Sequence, residues 1–590
     1  MAVFRKGDSN ASGSLTLAEL ERLVPKLHAE LGLRTAGEPQ DVHRLVRQRM
    51  RRFDRNGDGV LSASEFLELY RWTLWRKYED LDPPRFRRGD VVGGVHKGSP
   101  SKYYVLGKVL GAGQFGVVSL VTHRSTALQR AMKTIHKEKA VGSGTPLGLL
   151  QQEIDILAML DHPHILRLFE HYNDSQNLYL VMDVIGGGEL QEILKEHADR
   201  SMPLPESWVV RVFNQIFEAI AYCHSKGVMH KDLKFEHIMF QKKITTACPL
   251  QDVHVVVIDI GLAELFGPRH GRGPRSKMAA GSPCTMAPEV IKHDFSYKCD
   301  IWSIGCMLFA IHNVQPHYLP DGKGGQILYT YPFAPRPRSK DPHGLAALLE
   351  AQHNGPPMQL IASASPKARQ LIGVLLSFGE RDRPSAREAL RKPWLAQDAA
   401  SAKGQIRLTR EQVQSLEHER ENQLLWRATM ARAATQLPAS RLGALAQRFA
   451  MIGDPEHEGQ ARRGELAAFF VKLGVPQEAA ERVAEAADFD NDGEIEWSEF
   501  VAAMLPTSHE LFALSLQAAF QSFDVNCDGS LDKDDLLQLL SSGSIDSVHM
   551  PPDTAAATMM ADLDTNEDGK VSFAEFHEYF VHSHTDAPAP

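Results

Sequence analysis

The apolar positions of this chain fall into distinct patterns, and each predicts a different kind of element. Tyr103-Tyr-Val-Leu-Gly-Lys-Val-Leu110 and Val117-Val-Ser-Leu-Val-Thr-His123 are β-type runs on either side of a Gly-rich stretch, which predicts two strands joined by a turn. Leu149-Leu-Gln-Gln-Glu-Ile-Asp-Ile-Leu-Ala-Met-Leu160 carries apolar residues at helical spacing. A second helical stretch, residues 408–437, combines helix-forming composition with apolar residues at Val413, Leu416, Leu424, Leu425, Trp426, Met430 and Ala433, the pattern of an amphipathic segment. Ahead of the first strand, residues 82–101 are rich in Pro, Gly and basic side chains and read as a linker. No run of about 18 or more apolar residues occurs, so no membrane-spanning helix is predicted.

A twelve-residue pattern recurs outside the segment 103–395. It has acids or amides at positions 1, 3 and 5, Gly at 6, an apolar residue at 8 and an acid at 12. Calcium explains that spacing, because the ion takes six to eight oxygens and alternate side chains wrap it only if the chain turns sharply at position 6. These are therefore EF-hand loops, with the position-7 backbone carbonyl as a further ligand. The first draws on Asp8, Asn10, Ser12, Ser14 and Glu19, the second on Asp54, Asn56, Asp58, Val60 and Glu65. Near the other end the ligand sets are Asp488, Asp490, Asp492, Glu494 and Glu499; Asp524, Asn526, Asp528, Ser530 and Asp535; and Asp564, Asn566, Asp568, Lys570 and Glu575. Leu61, at position 8, is expected to pair with its counterpart in a partner loop. Asp535 is shorter than the usual Glu, which weakens calcium and favours the smaller Mg²⁺. A sixth, degraded copy at Asp454–Glu465 has Pro455, Ala461 and Arg462 at unsuitable positions and reads as structural.

Composition sharpens this picture. A chain of 590 residues exceeds one core and implies three or more units. Residues 440–590 hold 28 acidic against 8 basic side chains, which argues against nucleic-acid binding there and for a cation-binding module. Six Cys without paired spacing fit reduced thiols, hence the cytoplasm, or the nucleus. Residue 2 is Ala, so the Gly needed for N-myristoylation is missing, and only seven residues precede Asp8, fewer than a full entering helix.

The middle of the chain carries different chemistry. In Leu110, Gly111, Ala112, Gly113, Gln114, Phe115, Gly116, Val117 and Val118, small residues let backbone amides close over a triphosphate. Ala131-Met-Lys133 follows, and Lys133 suits a phosphate-pairing lysine positioned by Glu153. His230-Lys-Asp-Leu-Lys234, Asp259-Ile-Gly261, Ala287-Pro-Glu289, Asp300-Ile-Trp-Ser-Ile-Gly305 and Arg383-Pro384 come next, in that order. Together these motifs resemble those of protein kinases over about half the chain.

That resemblance implies an α+β chain: a bilobal kinase fold with a β-rich small lobe and a helical large lobe, plus all-α EF-hand domains at both termini. It implies ATP between the lobes, with Met182 at the gatekeeper position and Glu189 near the ribose. Asp232 would orient the substrate hydroxyl, Lys234 would meet the γ-phosphate, and Asp259 would hold Mg²⁺. Asp300 would brace the catalytic loop and Arg383 would pair with Glu289. Lys234 also favours Ser/Thr over Tyr substrates. Two departures matter. His237 stands where kinases carry the Asn of the second Mg²⁺, and imidazole is a poor ligand for that hard cation. Lys231 replaces the Arg that pairs with an activation-loop phosphate.

A kinase followed by a helical junction and four EF-hands resembles the calcium-dependent protein kinases of plants and alveolate protists, with an additional N-terminal EF-hand pair. The expected layout is an EF-hand pair in 1–80, a linker in 81–102, the kinase domain in 103–395, a junction or autoinhibitory helix in 396–439, and EF-hands in 440–585. The implied function is a calcium-regulated protein serine/threonine kinase using ATP, Mg²⁺ and Ca²⁺ on protein substrates. A calcium-sensing pseudokinase or scaffold is the alternative, resting on His237. The junction is expected to occlude the substrate cleft at low calcium and to be taken up by the C-terminal EF-hands through Trp426 and Met430.

Overall fold

The computed structural model describes residues 2–31, 46–47, 49–50, 53–54, 56–81, 95–112, 116–143, 146–200, 202–261, 263–266, 276, 281–313, 317–320, 326–329, 331–333, 344–397, 409, 412, 424–452, 461–524, 526, 528–541 and 552–585. The tip of the Gly-rich stretch (Gly113, Gln114, Phe115), the start of the degraded loop at Asp454, most of the linker, and Val413 and Leu416 of the junction lie outside them.

The chain divides into two compact units, and the division cuts across the linear order of motifs. One comprises Arg88–Glu417 and Met430–Ala518; the other comprises Met1–Arg87, His418–Thr429 and Ala519–Pro590.

In the first unit, six strands form one sheet. From one edge they run Val95–Lys97, Leu168–Asn173, Asn177–Met182, Gln129–His136, Gly116–His123 and Tyr104–Ala112, antiparallel except at the first pairing. The register sets Lys133 beside Val118 and Leu180, and Met182 beside Ala131. Gly116 has no alternative: a Cβ there would lie 1.7 Å from the Thr134 carbonyl oxygen. The helix Leu147–Met159 turns Ile154, Ile156 and Leu157 inward and buries Glu153 with them.

Below the sheet, two helices carry the core. Glu206–Ser225 buries Trp208, Phe213, Phe217 and Tyr222, and Lys298–His312 is apolar nearly all round, which is the signature of a helix covered on every side. Residues 430–437 of the junction also pack in this unit, with Met430, Ala433, Ala434 and Leu437 buried. Arg167 donates to the carbonyls of Ala434 at 3.2 Å and Leu437 at 3.0 Å, Arg130 donates to that of Gln436, and the Asp183 carboxylate accepts from the amide of Ala439 at 3.1 Å. Cationic donors thus satisfy carbonyls that the helix end leaves open.

The EF-hand loops are built in pairs. Leu15 lies opposite Leu61, Ala461 opposite Ile495, and Leu531 opposite Val571, each pair being the two position-8 residues joined in a short antiparallel bridge. The position-6 glycines Gly13, Gly59, Gly493, Gly529 and Gly569 all have φ between 80° and 88°, the left-handed region in which a side chain is strained. In the second unit Trp426 packs on Phe580, ring centroids 5.3 Å apart.

Candidate functional site

Lys133 is fixed by the sheet and Glu153 by the helix that packs against it, and their charged ends meet at 2.7 Å. Burial works against the Lys133 ammonium, but the Glu153 and Asp259 carboxylates outweigh it and raise its pKa. Asp259 follows the strand Val255–Val257 and sits at φ 58°. Burial opposes its charge, yet Lys133 and then His237 hold its carboxyl below the ordinary range.

The segment His230–Lys234 is held by one buried carboxylate. Asp300 accepts from the amides of His230 at 3.0 Å and Lys231 at 2.8 Å, and faces His224 Nε2 at 2.9 Å. That arrangement aims Asp232 inward, where Lys234 Nζ lies 3.0 Å from its carboxylate. Ser282, which the motif reading passed over, donates to the same carboxylate through its amide at 2.7 Å and its hydroxyl at 2.8 Å. Its only sequence signal is a hydroxyl residue after Gly281, five positions ahead of Ala287. Burial would raise the Asp232 pKa, but the Lys234 and Ser282 hydrogen bonds prevail and lower it.

Two substitutions noted in the sequence acquire partners. The Lys231 ammonium, 6% exposed, meets Glu264 at 2.9 Å, and Ser276 donates to the same carboxylate at 2.7 Å. A carboxylate therefore stands against Lys231 without phosphorylation. His237 is buried, its Nε2 lying 3.3 Å from Asp259, and burial pushes its pKa down. Among the remaining predicted positions, Met182 is buried at the end of its strand, Glu189 stands at the residue before the helix Leu190–Asp199, and Leu110, Gly111, Ala112, Val117 and Val118 lie on the two strands of the Gly-rich hairpin. Arg383 donates to Glu289 at 2.8 Å.

The calcium loops share one internal pattern, in which amides of positions 5 and 6 point at the position-1 carboxylate. Gly493 donates to Asp488 at 3.0 Å, Gly529 to Asp524 at 2.9 Å, and Gly569 to Asp564 at 2.8 Å. The first pair repeats it, with Gly13 donating to Asp8 and Gly59 to Asp54. Carboxylate oxygens of Asp488, Asp490 and Asp492 lie within 4.8 Å of one another, a donor set of hard oxygens that fits calcium. Burial, and then mutual repulsion, lifts the Asp490 carboxyl to about 6, and burial raises Asp488 and Glu499 as well. In the last pair, Lys570 reaches back 2.9 Å to Asp528 and holds its carboxyl well down. Asp535 accepts from the amide of Asp532 at 3.1 Å, closing the start of its exit helix.

Those raised pKa values carry a pH prediction. A carboxyl whose folded pKa exceeds its unfolded value stabilises the calcium-free loop most below the unfolded value, near pH 4, and that contribution is lost as pH rises through about 6. Calcium needs the ionised form, so its affinity at this loop is expected to fall as pH drops below about 6. Isothermal titration with calcium at pH 5.5 and 7.5, on the protein with Glu19, Glu65, Asp535 and Glu575 each changed to Gln or Asn, tests this. Equal affinities would refute it.

Residues 104–395 match the protein kinase domain family, and residues 1–71 and 514–581 match the EF-hand domain pair family. The chain is 29% identical over 481 residues to Calcium-dependent protein kinase 9 of Oryza sativa subsp. japonica, covering 80% of this chain and 76% of that protein. It is 28% identical over 497 residues to Calcium-dependent protein kinase 3 of Plasmodium berghei (strain Anka), covering 83% and 82%. The chain thus carries a protein kinase domain with EF-hand pairs toward both ends, and the relatives it matches are named calcium-dependent protein kinases of plants and Plasmodium. It is a calcium-regulated protein serine/threonine kinase, with ATP, Mg²⁺ and Ca²⁺ as the small molecules of that activity. Calcium-dependent protein kinase 6 of Plasmodium berghei aligns with 98% of this kinase at 25% identity, though the alignment covers 37% of that longer protein. Among the described residues no helix is long and apolar enough to cross a membrane.

In this kinase the loop Asp488–Glu499 lies in the same compact unit as Lys133, Asp232 and Asp259 and touches the kinase domain directly. Glu496 pairs with Lys226 at 2.6 Å, and the amide of Ser498 donates to Asp161 at 2.7 Å. Trp497, between them, is 2% exposed and lines a small cavity with His162, Pro163, His254 and Leu442.

Proposed function

We propose that Asp232 orients and deprotonates the substrate Ser or Thr hydroxyl, steadied by Ser282, while Lys234 balances charge on the transferring phosphoryl group. Lys133, held by Glu153, pairs the α- and β-phosphates of ATP under the Gly-rich hairpin, with Met182 and Glu189 lining the purine and ribose ends. Asp259 would hold a divalent metal ion, whose charge would offset that of the phosphates. The observation that carries this reading is the Lys133–Glu153 pair with Asp259 beside it, joined through His237 to an Asp232 whose carboxylate is supported by three donors. The working compartment on this reading is the cytosol or nucleus, in keeping with the scattered spacing of the six Cys. Phosphate transfer to a basic Ser peptide, with calcium and with chelator, tests the assignment. Transfer no greater than in an Asp259→Asn control would refute it.

Calcium reaches the kinase, on this reading, through two contacts. Trp426 seated against Phe580 ties the junction to the last EF-hand pair, in keeping with uptake of that helix. Residues 430–437, by contrast, lie against Arg130 and Arg167 of the kinase domain. The second contact is Glu496 on Lys226, in which a position-9 loop residue is held by a lysine of the catalytic domain. Lys226→Met frees Glu496 to serve the ion. It is expected to lower the calcium needed for half-maximal activation by roughly fivefold, the scale of a typical coupling between sites. A calcium-titrated kinase assay reads the shift, and an unchanged midpoint would count against the contact as a coupling element.

A further inference from the structure

His237 and Asp259 are brought together by strand register. The strands Ile238–Phe240 and Val255–Val257 run antiparallel with Ile238 opposite Val257, and the amide of Ile258 donates to the His237 carbonyl at 2.9 Å. The two side chains therefore leave neighbouring strand ends into one space. His237 Nδ1 lies 2.8 Å from the backbone carbonyl oxygen of Asp232. A carbonyl can only accept, so Nδ1 carries a ring proton. The other ring nitrogen, Nε2, faces Asp259 Oδ2 at 3.3 Å. With a single ring proton, a nitrogen lone pair confronts a carboxylate oxygen, two acceptors that attract each other only through a cation between them.

The spacing suits a metal ion. A cation about 2.1–2.2 Å from each atom would see them roughly 100° apart, which serves for adjacent positions of an octahedron whose other corners go to phosphate and water oxygens. The donor pair is mixed. Mg²⁺ demands oxygen at short distance, whereas imidazole suits transition-metal ions; of these, Mn²⁺ also suits the carboxylate, phosphate and water oxygens that complete the sphere. Zn²⁺ and Cu²⁺ favour tetrahedral or tetragonal sites richer in nitrogen or sulfur than one imidazole provides. We propose that this position, on the kinase reading of the site, takes Mn²⁺ in preference to Mg²⁺, with His237 Nε2 and Asp259 Oδ2 as its two protein ligands.

The test uses the full chain with saturating calcium and a non-hydrolysable ATP analogue, AMP-PCP, whose β,γ-bridge is carbon, and Mn²⁺ itself as the probe. Pulsed electron paramagnetic resonance detects an imidazole nitrogen bound directly to Mn²⁺. The EF-hand side-chain ligands are Asp, Asn, Ser and Glu, so Mn²⁺ straying into those loops gives no such signal. The expected result is nitrogen coupling in the wild type that depends on AMP-PCP and is lost in His237→Asn. In that variant the preference for Mn²⁺ over Mg²⁺, read by competition, is expected to fall about tenfold, the scale for a change in metal surroundings. Nucleotide-dependent Mn²⁺ binding without nitrogen coupling, as an imidazolium paired with Asp259 would give, overturns the proposal and leaves the site reading standing. No nucleotide-dependent binding at all overturns both. The wild-type spectrum decides even if the variant does not fold.

Discussion

Asp259→Asn is expected to reduce phosphate transfer by on the order of 10³-fold or more while leaving the protein folded. Asp259 lies against both Lys133 and His237, and on the proposed reading it would be the anionic ligand of the metal. Asn keeps the shape and removes the charge. Fold disruption should be small for two reasons. Asp259 sits at φ 58°, a conformation that Asn tolerates better than most residues, and the amide of Gly261 that bonds Oδ1 at 3.2 Å can bond the Asn carbonyl instead. Lys133 loses one of the two carboxylates that hold its charge but keeps Glu153 at 2.7 Å. The measurement is transfer of labelled γ-phosphate to a basic Ser peptide at saturating calcium, beside a thermal melt of the same sample. A melt within a few degrees of wild type, with transfer lost, is the expected pair of results. Retained transfer would remove Asp259 from the metal site.

Arg383→Met should act on stability. Arg383 is 1% exposed and Glu289 is 7% exposed, and the guanidinium spends its donors on Glu289 at 2.8 Å, the Ser377 carbonyl at 2.8 Å and the Lys298 carbonyl at 3.2 Å, while lying over the Trp302 ring at 4.8 Å. Removing the cation strands a buried carboxylate and the carbonyls of Ser377, Lys298 and Phe378 in the large-lobe core, a loss of about 3–5 kcal/mol. For a lobe of this size that lowers the melting temperature by roughly 10 °C. Adding Glu289→Gln removes the stranded charge, so the double variant is expected to recover part of the loss. Calorimetry of the two variants tests this, and a single variant melting with wild type would mean the pair contributes no net stability.

The chain's chemistry divides by how local it is. A calcium loop is a contiguous chelate: its ligands, its turn at position 6 and its pairing residue all lie within twelve positions. The sequence alone therefore specified the loops at Asp8, Asp54, Asp488, Asp524 and Asp564, and the bridges Leu15–Leu61 and Leu531–Val571 follow from position 8. The kinase motifs are legible for a related reason, since phosphate chemistry needs particular side chains at fixed offsets on particular turns. Residue type and spacing named Lys133, Glu153, Asp232 and Asp259.

What the tertiary structure decided are the partners of those residues across long chain separations. No spacing rule links Ser282 to Asp232, Glu264 to Lys231, or Glu496 to Lys226, because each pair meets only after strands and helices have packed. The sequence marked His237 as an anomaly. Only the register of two short strands turned its Nε2 toward Asp259. The linear order likewise put the EF-hands after residue 440 in one block, whereas packing assigns residues up to Ala518 to the catalytic unit and those from Ala519 to the other. Local chelation and backbone geometry are written in consecutive residues, but the burial that pairs distant side chains depends on the whole fold.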